Sequence, residues 1–143
     1  MKKSIVAALA FAAALLGANV EGHAAGLVAR ISLSSQTMTV THRGRVIHTW
    51  RVSTARGGYV TPRGTYRPTR MHRMWYSRKY DMSPMPYSVF FRGGYAIHGT
   101  GAVKYLGRPA SHGCVRLATS NAAKFYSLVK QVGPGNTRIV VTN

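Results

Sequence analysis

Ser111-His112-Gly113-Cys114-Val115-Arg116 is the stretch of this chain around which the fold and the chemistry are predicted. Cys114 is the only cysteine in the 143 residues, so it forms no disulfide within the chain. A second histidine, His98, lies upstream in Tyr95-Ala96-Ile97-His98-Gly99-Thr100. A thiol, an imidazole that takes its proton, and glycine-rich backbone that offers N–H groups to an oxyanion are the parts of a Cys–His nucleophile. The stretch therefore predicts a nucleophilic Cys114.

Two histidines compete for the role of base. His112 is two residues from Cys114, and extended residues at that spacing share a face but point along parallel lines, which is poor hydrogen-bond geometry. His98 ends a separate predicted strand and approaches from the side, with Gly99 free to turn sharply after it. We therefore assign the base to His98 and its Nδ1 acceptor to the Gly99 carbonyl. The amides around Gly113 and Cys114 are the predicted oxyanion donors, and His112 is left to shape the loop or contact substrate.

Two other roles for the cysteine stay open at this point. A lone cysteine is often a small buried hydrophobe. A zinc site from Cys114, His98 and His112 has enough ligands, but it lacks any Cys-x-x-Cys spacing. Thiol acyl transfer needs no cofactor, so none is predicted.

The N-terminus has the composition of an export signal. Met1-Lys2-Lys3 is basic, residues 5–18 are apolar, and the small residues Ala24 and Ala25 follow. The apolar run is shorter than the ~20 residues of a transmembrane helix. The pattern predicts a secretory signal peptide over residues 1–25, cleaved after Ala24 or Ala25, and one domain over residues 26–143. It places the domain in the periplasm or cell envelope, without a transmembrane span.

The charge of the chain is strongly positive. Residues 26–143 hold 18 of the 20 basic residues and one of the two acidic residues, Asp81, so their formal charge is +17. Such a charge implies polyanionic surroundings, and export favours an envelope polymer or membrane surface over nucleic acid. A single carboxylate excludes the paired acids of a glycosidase and a carboxylate-held calcium site. A non-catalytic basic protein that binds the wall or nucleic acid is the alternative from another class.

The segment pattern predicts a mainly β fold with seven or eight short strands and one helix. The clearest strands are residues 27–33, 38–42, 46–52, 65–67, 88–91, 95–98 and 137–141. Ser120-Asn121 offers a helix cap, and the apolar residues recur with helical spacing until Gly133-Pro134-Gly135. Residues 71–80 interleave aromatic and basic side chains, as nucleic-acid-binding proteins do, but are predicted as a loop whose aromatics pack on the sheet.

The motifs resemble the L,D-transpeptidase catalytic domain family of the YkuD type. His98-Gly99-Thr100 followed by Ser111-His112-Gly113-Cys114-Val115-Arg116 resembles the family's signature. Thr61-Pro62-Arg63-Gly64-Thr65-Tyr66 resembles its Thr-Pro-x-Gly-x-aromatic turn, and Met85-Pro86-Tyr87 its Met-Pro-Tyr segment. The resemblance implies an L,D-transpeptidase-type β-sandwich with one main helix after the catalytic cysteine loop.

The resemblance also implies a reaction on peptidoglycan stem peptides in cell wall biogenesis. Cys114 would attack the bond after the third stem residue, meso-diaminopimelate in many Gram-negative walls, and D-Ala would leave. An amine of a neighbouring stem would then resolve the acyl-enzyme and form a 3→3 cross-link. Carried over by position, Cys114 is the nucleophile, His98 the base and Gly99 its orienting carbonyl. Gly113 and Cys114 form the oxyanion hole. The implied substrate-binding residues are Ser111, His112, Arg116 and Tyr87.

The sequence departs from the family pattern in two places. Twelve residues separate His98 from Ser111, slightly fewer than is usual, and Ala55 stands where the family has glycine. The shorter loop leaves the acceptor open: a stem amine, water, or the amine of an outer-membrane protein N-terminus. The sequence also leaves the oligomeric state open.

Overall fold

The computed structural model describes residues 26–143 as nine strands and one α-helix. The strands are β1 (Leu27–Ser32), β2 (Thr37–His42), β3 (Arg45–Arg51), β4 (Gly64–Tyr66), β5 (Arg70–Ser77), β6 (Ser83–Arg92), β7 (Tyr95–Thr100), β8 (Val115–Ala118) and β9 (Thr137–Thr142). The helix, α1, is Thr119–Val132. The predicted signal peptide, residues 1–25, lies outside the described residues.

The first sheet is built on the predicted opening meander. Its strand order is β3-β2-β1-β9-β4, and β1, β2 and β3 pair antiparallel as predicted from their short connections. Arg43 and Gly44 both have positive φ, the geometry of a two-residue hairpin turn. β1 also pairs with β9, in parallel, so the two ends of the domain meet in the middle of this sheet.

The second sheet has the order β5-β6-β7-β8, and α1 packs on β6, β7 and β8. Its inner residues, such as Val89, Ile97 and Leu117, join those of the first sheet and of α1 in one hydrophobic core. The predicted mainly β fold with one helix after the cysteine loop is confirmed. The helix begins at Thr119, one residue before the predicted cap, and ends at Val132, directly before Gly133.

The prediction of a loop at residues 71–80 is wrong, because most of this segment is β5. β5 pairs with β6 from Arg70 to Ser77, and only Arg73 and its neighbour Tyr87 fall outside the register. Tyr87 has a φ of 53°, which shifts the alternation of side chains along β6. Met85 and Phe90 therefore share a cluster although they are five positions apart, an offset that places side chains on opposite faces of a regular strand. Because of this irregularity, a simple alternation of apolar and polar residues does not predict β5.

No helix among residues 26–143 is long and apolar enough to cross a membrane.

Candidate active site

Strands β7 and β8 bring the predicted nucleophile and base to one face of the second sheet. They pair in parallel, with His98 opposite Arg116. Because side chains alternate along a strand, His98, Arg116 and Cys114 face away from the core while Ile97 and Val115 face into it. His98, Cys114 and Arg116 line one cavity of about 690 Å³. The arrangement places an imidazole and a guanidinium beside the thiol.

Ser111 closes the loop that carries the cysteine. Its side chain is fully buried, and its hydroxyl donates to the Cys114 carbonyl oxygen at 2.6 Å. The hydroxyl oxygen of Ser111 in turn accepts a hydrogen bond from the Gly113 amide at 3.0 Å. Ser111, a predicted substrate-binding residue, also lines the cavity, and both of its side-chain hydrogen bonds are made inside the loop. Its role in this geometry is to hold the backbone of Gly113 and Cys114.

Gly113 sits where no other residue fits. Its φ is +136°, and a Cβ atom there would lie 2.6 Å from Cε1 of Tyr95 and 2.9 Å from the carbonyl oxygen of Val60. Its amide was a predicted oxyanion donor, but that N–H already donates to Ser111 and Gly113 does not line the cavity. In this geometry the Cys114 amide is the predicted donor that remains.

His98 has one defined tautomer. Its Nδ1 lies 2.8 Å from the Gly99 carbonyl oxygen. A carbonyl only accepts, so Nδ1 carries the proton and Nε2 is left with a free lone pair. Gly99 does not turn the chain as expected, because it continues β7. A Cβ at Gly99 would lie 2.9 Å from Cα of Thr119, so glycine lets the start of α1 approach the strand.

The site rests in its neutral form. Burial lowers the pKa of His98 from 6.5 to about 4; the hydrogen bond to Gly99 opposes this, and the charge of Arg116 adds to it. Burial raises the pKa of the Cys114 thiol above its usual value, although the Ala96 backbone and Arg116 act in the other direction. The thiol donates to the Gly94 carbonyl oxygen, at a sulfur–oxygen distance of 3.7 Å. A neutral thiol and a neutral imidazole with a free Nε2 lone pair therefore line the same cavity.

A family model described as the L,D-transpeptidase catalytic domain, YkuD, matches residues 27–141. The chain belongs to this family.

Solved structures agree with this assignment. An L,D-transpeptidase from Stackebrandtia nassauensis is 29% identical, with a TM-score of 0.72 over 82% of this chain and 56% of its own. One from Xylanimonas cellulosilytica is 27% identical, with a TM-score of 0.72 over 82% of this chain and 61% of its own. LdtMt1 in complex with imipenem is 25% identical, with a TM-score of 0.72 over 82% and 59%. The chain thus spans less than two thirds of these structures. A comparison with curated proteins finds no match.

The other predicted substrate residues of this L,D-transpeptidase domain take different positions. His112 lines the cavity and stacks on Tyr80, with ring centroids 4.1 Å apart. Burial, followed by the charges of Arg56, Arg116 and Lys79, lowers the pKa of His112. Tyr87 does not line the cavity, and its ring packs edge-on against Tyr126 of α1 at 5.7 Å. The structure thus brings His112 to the site and leaves Tyr87 on the helix side of the sheet.

Arg116 is held by its backbone. Its amide donates to the Ser53 carbonyl at 2.9 Å, and the Ser53 amide donates back to the Arg116 carbonyl at 3.0 Å. Its Nη1 reaches the Ala110 carbonyl at 3.4 Å, so the guanidinium keeps further donors for a ligand.

Among residues 26–143, no three His, Cys, Asp or Glu side chains form a group that could hold a metal ion.

Thr61 is a site residue that sequence reasoning took only for part of a turn. It is buried, and its hydroxyl donates to the Gly113 carbonyl oxygen at 2.8 Å while accepting from the Ala55 amide at 3.0 Å. Thr61 therefore ties the cysteine loop to the segment after β3. The sequence around Thr61 does not predict this contact, because Gly113 lies 52 residues further along the chain.

Lowering the pH from 7 to 4 is expected to reduce the free energy of unfolding by about 3 kcal/mol through His98 alone. The unfolded imidazole takes a proton near pH 6.5, whereas the buried one stays neutral down to about pH 4. The unfolded state therefore binds the proton first, and stability falls through this window. Urea unfolding at both pH values measures the loss in the wild type and in His98→Gln. An equal loss in both proteins would contradict the assignment to His98.

Proposed function

We propose that the protein is a cell-envelope L,D-transpeptidase that acts on peptidoglycan stem peptides through an acyl-enzyme on Cys114. The observation that supports it most is the pairing of β7 with β8, which places the thiol and a neutral imidazole on one cavity wall. Membership of the family supplies the substrate class. We further propose that residues 1–25 direct export to this compartment.

The first step is acylation of the thiol. Nε2 of His98 takes the proton as Cys114 turns away from Gly94 and its sulfur attacks the carbonyl carbon after the third stem residue. The developing oxyanion accepts a hydrogen bond from the Cys114 amide. The carbon–nitrogen bond then breaks, and His98 gives the proton to the amine of D-Ala as it leaves. The product is a thioester, and His98 is neutral again.

The second step transfers the acyl group to an amine. A side-chain amine of a neighbouring stem attacks the thioester carbonyl, and His98 accepts a proton from that amine. The carbon–sulfur bond breaks, and the proton returns to the sulfur, which restores the thiol. The new amide joins two third residues, which is a 3→3 cross-link. Arg116 lies beside the nucleophile and binds a substrate carboxylate through paired N–H groups.

Intact-mass spectrometry with a synthetic stem tetrapeptide tests this function. We expect the mass of the wild type to increase by the mass of the tetrapeptide minus that of free D-Ala, because the acyl group replaces the thiol hydrogen and D-Ala leaves as the free amino acid. Digestion should locate it on the peptide that contains Cys114. The matched control, Cys114→Ala, should gain no mass while keeping the same melting temperature. Folded wild type without an adduct would contradict the proposal and favour a binding protein.

The acceptor is identified in the same reaction mixture. A cross-linked dimer is expected when a second stem with a free side-chain amine is added. Release of the tripeptide alone would show that water is the acceptor. The activity would then be that of a carboxypeptidase and not of a transpeptidase.

A further inference from the structure

The β5–β6 side of the cavity carries an arginine clamped by two aromatic rings. Cζ of Arg70 lies 3.7 Å from the ring centroid of Phe90 and 4.6 Å from that of Trp75. The two rings meet edge to face, with centroids 5.6 Å apart. All three residues line the same cavity as Cys114. A guanidinium held over an aromatic ring by cation–π contact does not use its N–H groups there, so they stay free for a planar acceptor such as a carboxylate.

The charges around this arginine are not balanced by the protein. Arg78, Lys79 and Arg116 line the cavity as well. Asp81 is the one acidic residue among residues 26–143, and it does not line the cavity. The single side-chain hydrogen bond of Arg70 is a long one, 3.5 Å to Nε2 of His72. The cavity is therefore built for a ligand with more than one negative charge.

The sheet itself gives the spacing between this charge and the nucleophile. Arg70 pairs with Phe90, Phe90 pairs with Ala96, and the β7–β8 register continues the row to Cys114. Neighbouring strands lie ~4.8 Å apart, so Phe90 is roughly 10 Å from Cys114 between Cα atoms. Because the guanidinium lies over the Phe90 ring, its charge is about two strand widths from the thiol.

We propose that Arg70, clamped by Trp75 and Phe90, binds a second free carboxylate of the donor stem, at the far end of the side chain of the third residue. In an extended diaminopimelate side chain, about 7.5 Å separates the scissile carbonyl carbon from that carboxylate carbon. A hydrogen bond of ~2.9 Å then completes the span to the guanidinium. The site thus selects stems with a free distal carboxylate over amidated ones. This inference rests on the proposed function.

Two synthetic tetrapeptides test it, one with the distal carboxylate free and one with it amidated. We expect wild-type kcat/KM for acylation to be about tenfold higher for the free donor, mainly through a lower KM, as for one exposed charge-assisted contact. Arg70→Gln should lose this preference by raising KM for the free donor only, with kcat unchanged. Arg70→Lys should keep part of the preference, because it retains the charge but not the planar fork. The matched control, Arg73→Gln, lies on the same strand outside the cavity and should behave as the wild type.

Binding to Cys114→Ala, measured by calorimetry with the same two peptides, separates this inference from the proposed function. Tighter binding of the free peptide supports the carboxylate site, even if the wild type forms no acyl-enzyme and the proposed function falls. Equal binding of both peptides, with equal acylation of the wild type by both, overturns the inference and leaves the proposed function standing. A melting temperature for Arg70→Gln near that of Arg73→Gln shows that any lost preference is not a folding defect.

Discussion

Replacing His98 with glutamine is expected to slow acylation of Cys114 by about a thousandfold, within the range of general-base catalysis. Glutamine can still donate to the Gly99 carbonyl through its amide nitrogen, so the strand keeps a partner at that position. It has no basic lone pair to take the thiol proton. Because burial keeps the thiol protonated, the variant lacks the thiolate that would bypass the base. The rate of mass increase with excess tetrapeptide measures the effect.

The same base predicts the pH profile. For the free wild-type enzyme, kcat/KM should fall on the acidic side near pH 4, where His98 becomes protonated, and not near 6.5. His112→Gln serves as the control, since His112 lies in the same cavity but is not assigned to proton transfer, and it should keep this acidic limb. A loss of less than tenfold in His98→Gln, or an acidic limb that follows His112, would refute the assignment.

Gly113→Ala is expected to abolish acylation and to lower the free energy of unfolding by about 3 kcal/mol or more, since overpacking and backbone strain each contribute on the order of 1–3 kcal/mol. The new methyl group would lie 2.9 Å from the Val60 carbonyl oxygen, which is backbone and cannot turn aside. A φ of +136° also disfavours alanine. The loop must move to relieve both, and this movement displaces Cys114. Chemical denaturation and the mass assay measure the two effects.

Gly135→Ala is the matched control for this prediction. An added Cβ there meets nothing within 4 Å, and its φ is not in the positive region. We expect it to change stability by less than about 1 kcal/mol. A double variant, Gly113→Ala with Tyr95→Leu, removes the contact at Cε1 of Tyr95 but not the one with Val60, so it should recover only part of the loss. Wild-type stability in Gly113→Ala would mean that the loop is not packed as described.

The elements that local sequence determines are those that could be predicted. Alternation and a short turn located the opening meander, and the helical spacing of Ala122, Phe125 and Val129 located α1, whose buried face they form. The family resemblance is confirmed by the match over residues 27–141. The roles of Cys114 and His98 stay proposals, although both line one cavity.

What could not be predicted depends on contacts between distant segments. No local sequence pattern predicts the parallel pairing of β7 with β8, although this pairing places His98 opposite Arg116. The Gly113 amide donates to the Ser111 hydroxyl only when the loop is folded. From the sequence alone, this amide is therefore predicted as an oxyanion donor. The sequence of residues 71–80 predicts a loop and not a strand, because the irregularity at Arg73 and Tyr87 interrupts the alternation of side chains.

The pairing of β1 with β9 has a consequence for the order in which the domain folds. Leu27 pairs with Thr137, and β1 is the central strand of its sheet, with β2 on its other side. Until the last strand has been synthesised, β1 has one unpaired edge, and the core beneath Ala29 and Ile31 is incomplete. Contacts of such long sequence separation slow folding, because a large chain entropy is lost before they form. The hydrophobic core of the nascent chain therefore cannot be completed until β9 has been synthesised.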